Sequence, residues 1–577
     1  MSSNTEVELK FLVPRAARAA IAAEMTRPSV RSERRTLAAL YLDTPDRRLA
    51  KAGIAWRLRR EGRRWIQTLK GPGSSALERF EHESIRPGPV HDAGAHAGTR
   101  VGDKLLKILR DAGEDKLEVG VRFQTEVRRI ARRTRTRGAT VEIALDEGRL
   151  LAGGNKLRLL EVEFELVAGS ALAMLALAER WRKRFGLIHD PRSKAERGDR
   201  LAEGSAFPPI RKARLPGYAP DAGVVPAFGA VVDECLAQIS ANAIGLVAGD
   251  PASRVGHVHQ ARVGIRRLRS ALRSFDSWVP PPPPHLVDAL KGLFADLGQA
   301  RDSDVFDSGV ATALEKAGAP PLGPGPVDRS GPDPVATMRS PPAQQLLLAW
   351  LNWRMGLAEP AVDLAPAVVA GGPTAAGNGT PDQPPQEAVL HEGTAAGNGD
   401  ASNEGDRAND VLPNDVLPND VPAIDVLAID GEASKAASAS EGEKLVGDAA
   451  WQRKVAQRLR RWHRRIVADW KAFDELEEQS LHSLRKRIKR QRYAVQFFAP
   501  VLRRRQTARY LGALAAAQDR MGELNDLFAA RSRYRARVDA EPAAWFAMGW
   551  LAARIDEARL RAKPDLKRLA KSRPPGA

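Results

Sequence analysis

The stretch Glu6-Val7-Glu8-Leu9-Lys10 constrains the fold of this chain more than any other. Successive side chains of a β-strand point to opposite faces, so Glu6, Glu8 and Lys10 share one face and Val7 and Leu9 the other. Two carboxylates and an ammonium placed this way can seat a hard cation beside an anionic group. Taken alone, the pentapeptide reads equally as an edge strand with a solvated charged face. Recurrence of the pattern along the first third of the chain decides between the two.

The pattern recurs on almost every strand candidate. Period-two segments fall at residues 37–44, 54–59, 64–70, 79–83, 119–130, 140–151 and 157–167, with helical stretches at 15–25, 104–111 and 171–185. With the first segment this makes about eight strands joined by short connections, enough to close an antiparallel barrel. One face carries Glu6, Glu8 and Lys10, then Arg57 and Arg59, Thr68 and Lys70, Arg79, Glu81 and Glu83, Glu142 and Asp146, and finally Glu161, Glu163 and Glu165. The opposite face carries Val7, Leu9, Leu58, Leu69, Val141, Ile143, Val162, Phe164 and Leu166. A solvated open sheet has no need of such regular alternation. The expected structure is a closed barrel with a charged lumen and an apolar outside covered by helices. Acids and bases mixed in one lumen suit a metal-bound polyphosphate, the acids holding metal and the bases holding phosphate.

At this point the ordered motifs resemble the CYTH superfamily of triphosphate tunnel metalloenzymes. They are Glu6-x-Glu8-x-Lys10, Tyr41-Leu42-Asp43-Thr44, Arg57-Leu58-Arg59, Lys70-Gly71, Glu142-x-Ala144-x-Asp146-x-Gly148, Glu161-x-Glu163-x-Glu165 and Ser193-Lys194-x-x-Arg197-Gly198. The resemblance implies a metal-side set of Glu6, Glu8, Asp146, Glu161 and Glu163, with magnesium or manganese as cofactor. It implies a phosphate-binding set of Lys10, Arg57, Arg59, Lys70, Arg128 and Lys194, and places catalysis with Glu6, Glu8, Lys10, Glu161 and Glu163. Register in the strand of Arg128 is ambiguous. One of the glutamates would orient or deprotonate the attacking water.

The chain has 577 residues, too many for one core, and a formal net charge of +19. That excess favours polyanionic partners. Its single cysteine, Cys235, excludes an intrachain disulfide and a cysteine-clustered zinc site. No signal peptide and no membrane span are read from the sequence, so the expected location is cytoplasmic.

Residues 206–221 read as a proline-rich linker after a first domain at 1–205, and helical periodicity follows over 222–577. Two helical segments echo one another. His259, Arg262, Arg266 and Arg269 recur as His482, Arg485, Lys489 and Arg492, both sets at offsets 0, 3, 7 and 10, a single helical stripe. Each is followed by a second echo, Leu297-Gly298-x-x-Arg301-Asp302 and Met521-Gly522-x-x-Asn525-Asp526. Like charges so spaced cost roughly 0.2–0.5 kcal/mol per facing pair, which an anionic ligand would offset. For the two histidines, a hydrogen bond to a neighbouring helix explains the position as well as anion contact does. These segments resemble the CHAD domain, an all-helical module of two related bundles that binds polyphosphate. The resemblance breaks at about 360–448, where Pro, Gly, Ala and Asp dominate and short motifs repeat; this reads as a disordered insertion. The fold class expected is therefore multidomain α+β: an antiparallel β-barrel tunnel with flanking helices, then an all-α domain of two repeated helical bundles.

The function expected is metal-dependent hydrolysis of inorganic triphosphate or short-chain polyphosphate in the barrel, with polyphosphate binding by the helical domain. Thiamine-triphosphate hydrolysis, adenylate cyclisation and a non-catalytic polyphosphate adaptor are the rivals. An adaptor needs cations but no acids, and the acids are present. Aromatic residues make up only 5% of the chain, which counts against a single-stranded nucleic acid partner.

Overall fold

The computed structural model describes residues 5–73, 75, 77–110, 119–321, 331–357 and 444–576, side chains at 299–309 and 444–450 excepted. The insertion expected at about 360–448 lies outside the described residues up to 443.

The strands are β1 (Thr5–Leu12), β2 (Glu33–Asp43), β3 (Ala55–Glu61), β4 (Arg64–Pro72), β5 (Glu78–Arg86), β6 (Gly120–Thr136), β7 (Ala139–Ala152), β8 (Asn155–Gly169) and β9 (Ile188–His189). Every pairing is antiparallel, in the order β5-β4-β3-β2-β6-β7-β8-β1. β1 bonds β8 on one side and β5 on the other, Glu6 opposite Arg79, and so closes an eight-stranded barrel. The short β9 adds to β1, His189 opposite Phe11. The β3–β4, β6–β7 and β7–β8 connections are as tight as the sequence implied, whereas β1–β2, β2–β3 and β5–β6 are longer and carry helices. β7 turns into β8 through Gly153 and Gly154 at φ 51° and 88°, a pair of left-handed positions that a two-residue hairpin requires.

Helices α1 (Arg18–Met25), α2 (Arg48–Lys51), α3 (Arg100–Arg110), α4 (Ala171–Phe185) and α5 (Lys194–Ala202) surround the barrel. Ser170 caps α4 by accepting a hydrogen bond from Leu172 N (3.1 Å), and Gly186 ends it in the left-handed region. Its inner face, Met174, Ala178 and Trp181, is buried together with the outer face of the barrel at Val141, Ile143 and Phe164. The apolar side of these strands therefore faces outward onto helix, as the alternation required, and each fully buried side chain stabilises by roughly 1.5–3 kcal/mol.

The helical part comprises α6 (Val224–Ala248), α7 (Arg254–Phe275), α8 (Pro284–Lys316), α9 (Pro334–Arg339), α10 (Pro341–Gly356), α11 (Lys444–Lys471), α12 (Glu478–Phe497), α13 (Arg504–Arg535) and α14 (Ala544–Lys571). α6 is long and apolar enough to cross a membrane by length and composition, with a mean hydropathy of 1.4. It lies instead in the helical core, with Phe228, Val232 and Cys235 at 0% exposure and Gln238 bonded to Gln260 of α7. The segment between α5 and α6 has no helix or strand, yet it is strapped down. Arg211 pairs with Glu234 (2.8 Å), Arg214 O accepts from Arg267, and Tyr218 donates to Phe497 O (2.8 Å). α10 packs against α4 and β9 of the barrel as well as α6 and α8 of the bundle.

Candidate active site

The lumen holds a cavity of about 230 Å³ lined by charged side chains from β1, β3, β4, β5, β7 and β8 together with Lys194. β2 and β6 are different: they contribute Leu37, Ala39, Tyr41, Thr125 and Val127 to the wall, ahead of Arg35 and Arg129. On β6 the polar residues Gln124, Glu126 and Arg128 face solvent. Arg128 is thus outside the tunnel, and Arg129 lines it in its place. Two adjacent arginines leave charge unable to fix the parity. The inward series Thr125, Val127, Arg129 was the available signal, hidden because this strand does not follow the charged-in pattern of its neighbours.

Three of the acids converge around Lys194. Ligand oxygens of Asp146, Glu161 and Glu163 lie within 4.8 Å of one another, and Asp146 and Glu161 are buried. Lys194 Nζ reaches all three, at 2.7 Å from Asp146, 2.5 Å from Glu161 and 2.8 Å from Glu163. Arg129 binds Asp146 through two hydrogen bonds of 2.7 Å and Glu163 through one of 2.5 Å. Arg197 of α5, to which the sequence assigned no role, pairs with Glu161. Oxygen donors in such a cluster suit a hard divalent cation, so Asp146, Glu161 and Glu163 could hold a metal. Glu6 and Glu8 fall outside this group, although Glu8 is near enough to Glu163 for their charges to repel. Glu6 holds Lys70 at 2.5 Å, while Glu8 pairs with Lys10 and, at 3.0 Å, with Arg79.

Local structure explains these positions. Lys194 is the first residue of α5, which Ser193 and Glu196 open as a capping box: Ser193 Oγ accepts from Glu196 N (3.1 Å) and Glu196 Oε2 from Ser193 N (2.7 Å). Gly198 lets α5 approach the barrel, since a Cβ there would come within 2.1 Å of the Phe123 ring. Asp43 of the Tyr41–Thr44 motif is structural; its carboxylate accepts from the backbone of Thr44, Leu49 and Ala50 and so fixes the start of α2.

Electrostatics follow the pairing. Burial pushes Glu8 up, but Lys10, Lys70 and Arg79 pull it down to about 2. Burial likewise works against Glu163, and Lys194, Arg129 and Lys10 hold it well below the usual carboxylate range. Burial raises Glu6 despite Lys70, and carries Glu165, beside Glu6, up to about 7. Burial disfavours the charge on Lys194, yet the three carboxylates keep it above the ordinary lysine range. On the far wall Arg57 lies 3.7 Å from Glu81, and Arg59 lies 2.5 Å from Glu61.

In the helical part the two stripes are largely packed inward. His259, Arg262, Arg485 and Arg492 are buried, and Arg266, Arg269, His482 and Lys489 are half-buried. Arg262 donates to Phe294 O (2.9 Å), and a Cβ at Gly298 would come within 2.1 Å of its guanidinium, which accounts for the glycine of that echo. His482 Nδ1 lies 2.6 Å from Asn525 Oδ1, so the two repeated motifs of the second half meet in space. α7 and α12, which carry the stripes, pack against each other.

A closed antiparallel barrel with an inward acid cluster and facing cations, joined to a bundle with duplicated basic helices, defines a two-module class of protein. The family model described as CYTH domain matches residues 4–198, and that described as CHAD domain matches 230–377 and 425–535. The chain belongs to the proteins that join a CYTH domain to a CHAD domain. Among solved structures it resembles the CHAD domain from the plant Ricinus communis at 23% identity, over 64% of this chain and 99% of that one, with a TM-score of 0.39. It also resembles a Hippeastrum protein named for adenylyl cyclase and for a dominant triphosphatase activity, at 18% identity over 35% of this chain and 98% of that one, TM-score 0.27. A third, named an inorganic triphosphatase, matches at 21% identity over 30% of this chain and 78% of that one, TM-score 0.14.

Proposed function

We propose that the barrel is a metal-dependent triphosphatase acting on inorganic triphosphate or a short linear polyphosphate, and that the helical part binds polyphosphate. The observation that carries the reading is the ammonium of Lys194 touching Asp146, Glu161 and Glu163 together. The acid cluster is neutralised by protein cations, and the other lumen cations are likewise held by carboxylates, Lys70 by Glu6 and Arg57 by Glu81. A bare polyanion would have to take these cations from their acids. A divalent cation held by Asp146, Glu161 and Glu163 would free Arg129 and Lys194 for phosphoryl oxygens, beside Lys10, Arg57, Arg59 and Lys70 on the rest of the wall.

When bound, magnesium or manganese supplies charge neutralisation at those oxygens. The arginines, planar and always charged, grip the phosphates and stabilise the charge that grows on the leaving oxygen. Water attacks the terminal phosphorus, the P–O–P bond breaks, and a carboxylate among Glu6, Glu8, Glu161 and Glu163 takes the proton of the water. Tyr41 is the one aromatic side chain around the cavity among the described residues, which offers little for a thiazole or a nucleobase to stack on. This supports a compact inorganic substrate.

The test is phosphate release from triphosphate, longer polyphosphates, ATP and thiamine triphosphate, with pyrophosphate and cyclic AMP also measured from ATP, with and without divalent metal. Metal-dependent release fastest from triphosphate supports the reading. Faster turnover of thiamine triphosphate or of ATP, or binding without turnover of any of them, replaces it with the corresponding rival.

A further inference from the structure

The segment between α4 and α5 is held from two sides, and one of them is the helical part of the chain. On the barrel side, β9 pairs with β1, and Asp190 N donates to the carbonyl of Lys10 at 3.0 Å. The Asp190 carboxylate accepts from Arg192 N, Nε and Nη2 at 3.0, 2.8 and 2.8 Å, and Arg79 reaches Pro191 O at 3.4 Å. Three residues after Pro191 the chain delivers Lys194 into the acid cluster. On the other side β9 pairs with no further strand among the described residues, so its outward N–H groups need partners of another kind. His189 is 5% exposed, and an orphan N–H at such a place would cost about 1–3 kcal/mol. Its N–H donates to Gln344 Oε1 of α10 at 2.8 Å. Gln344 is itself 2% exposed and is oriented by its own Nε2, which donates to Met338 O at 2.7 Å. A buried polar side chain of the bundle thus completes the backbone of a tunnel strand 155 residues away.

We propose that Gln344 is a positioning residue for the tunnel: through the backbone of His189 it fixes the segment that places Lys194 among Asp146, Glu161 and Glu163. The inference rests on the triphosphatase reading for its catalytic consequence, but not for the geometry. The barrel then depends for its working arrangement on a hydrogen bond supplied by the helical module. Docking of α10 against β9 becomes a condition of full activity.

The test uses the full chain with Gln344→Met, which keeps length and removes both hydrogen bonds. Gln344→Asn, one methylene too short to reach His189, is read in the same way should the methionine variant not fold. Acetylation of lysines by acetic anhydride, followed by peptide mass spectrometry, compares Lys194 with Lys70, which faces the same lumen from β4. Loss of positioning raises the modification rate of Lys194 about fivefold and leaves Lys70 within about twofold of wild type, and kcat/KM for triphosphate falls about tenfold. A parallel rise at both lysines marks general loosening and overturns the proposal, as does no rise at either. A selective rise at Lys194 with unchanged triphosphate hydrolysis overturns its catalytic half. If wild type hydrolyses no triphosphate at all, the triphosphatase reading falls, while the comparison of the two lysines still decides whether Gln344 positions Lys194.

Discussion

Arg129 grips Asp146 through two parallel hydrogen bonds of 2.7 Å, while Arg128, one residue earlier on β6, points into solvent. A one-residue step on a strand separates a tunnel residue from a surface one. Replacing Arg129 by Ala leaves a fully buried carboxylate with part of its counter-charge gone, a change expected to cost about 3 kcal/mol of stability. Triphosphate turnover should fall at least about a hundredfold. Arg128→Ala should stay within about 0.5 kcal/mol and close to wild-type turnover. Chemical denaturation and phosphate release on the two variants check this, and equal effects would contradict the register.

The acid cluster makes a prediction about metal that does not depend on turnover. Added magnesium or manganese should raise the thermal midpoint of the wild type, because a ligand that binds only the folded state stabilises it. Glu161→Gln together with Glu163→Gln keeps the shape and removes two charges, so that rise should shrink to near zero. Phosphate release should vanish in excess chelator and in the double variant alike. A metal-induced shift that survives the double substitution would place the cation elsewhere, with Glu6 and Glu8 the first candidates.

Much of the barrel is written in the alternation of β1, β3, β4, β5, β7 and β8, because a charge buried toward a lumen leaves the opposite face apolar and both signals agree. β6 escaped because its outer face is solvated and polar and its inner face is partly Thr125 and Val127, so charge and burial give opposite parities there. Arg197 stood in the motif Ser193-Lys194-x-x-Arg197-Gly198 without an assigned role, because its pairing with Glu161 comes from α5 and no strand pattern encodes it. Dependence of the tunnel on α10 was equally hidden. A glutamine on a helix reads as polar surface until the edge of β9 is seen to need an acceptor. The stripes of α7 and α12 were legible as periodicity, but periodicity does not say how deeply Arg262 and Arg485 are packed.

Burial holds the imidazole of His189 down to about 4, although Asp190 beside it works the other way. A histidine whose folded pKa is depressed is neutral in the fold and takes a proton more readily when unfolded. Its contribution is complete above the unfolded value of about 6.5 and is lost as pH falls toward 4. The full loss is about 3 kcal/mol, with about 2 kcal/mol of it gone by pH 5. Glu165, pushed up to about 7, has the opposite sign across part of that window, so the informative quantity is a difference. Urea unfolding at pH 7 and pH 5 should show wild type losing about 2 kcal/mol more than His189→Gln over that interval. Identical losses would show that His189 does not titrate as its burial requires.

The last prediction concerns the basic helices. Arg490 of α12 has its charge disfavoured by burial and then by Arg273 of α7 together with Arg487 and Arg465, so cations from three helices converge near the stripe. Arg266, Arg269 and Lys489 are half-buried members of the stripes, the two arginines lying over the Phe294 ring at 5.6 and 5.9 Å, whereas Arg262 is buried, sits 4.2 Å from that ring and donates to Phe294 O, and so serves the bundle first. A flexible phosphate chain carries closely spaced charges and can follow such a row, relieving the repulsion that burial leaves among the cations. Binding of this kind is driven by charge and should weaken steeply as salt rises. Changing Arg266, Arg269 and Lys489 to Ala should weaken binding of long-chain polyphosphate at least about tenfold at low salt and flatten its salt dependence. Triphosphate hydrolysis should stay within about twofold, since none of the three lies near the lumen. Arg262→Ala should instead lower the thermal midpoint, because it strips a buried guanidinium from a backbone carbonyl and an aromatic face. Titration of polyphosphate and of duplex DNA at two salt concentrations separates the outcomes. Unchanged polyphosphate affinity in the triple variant would reject the stripes as the binding surface, and tighter binding of DNA than of polyphosphate would assign them to nucleic acid.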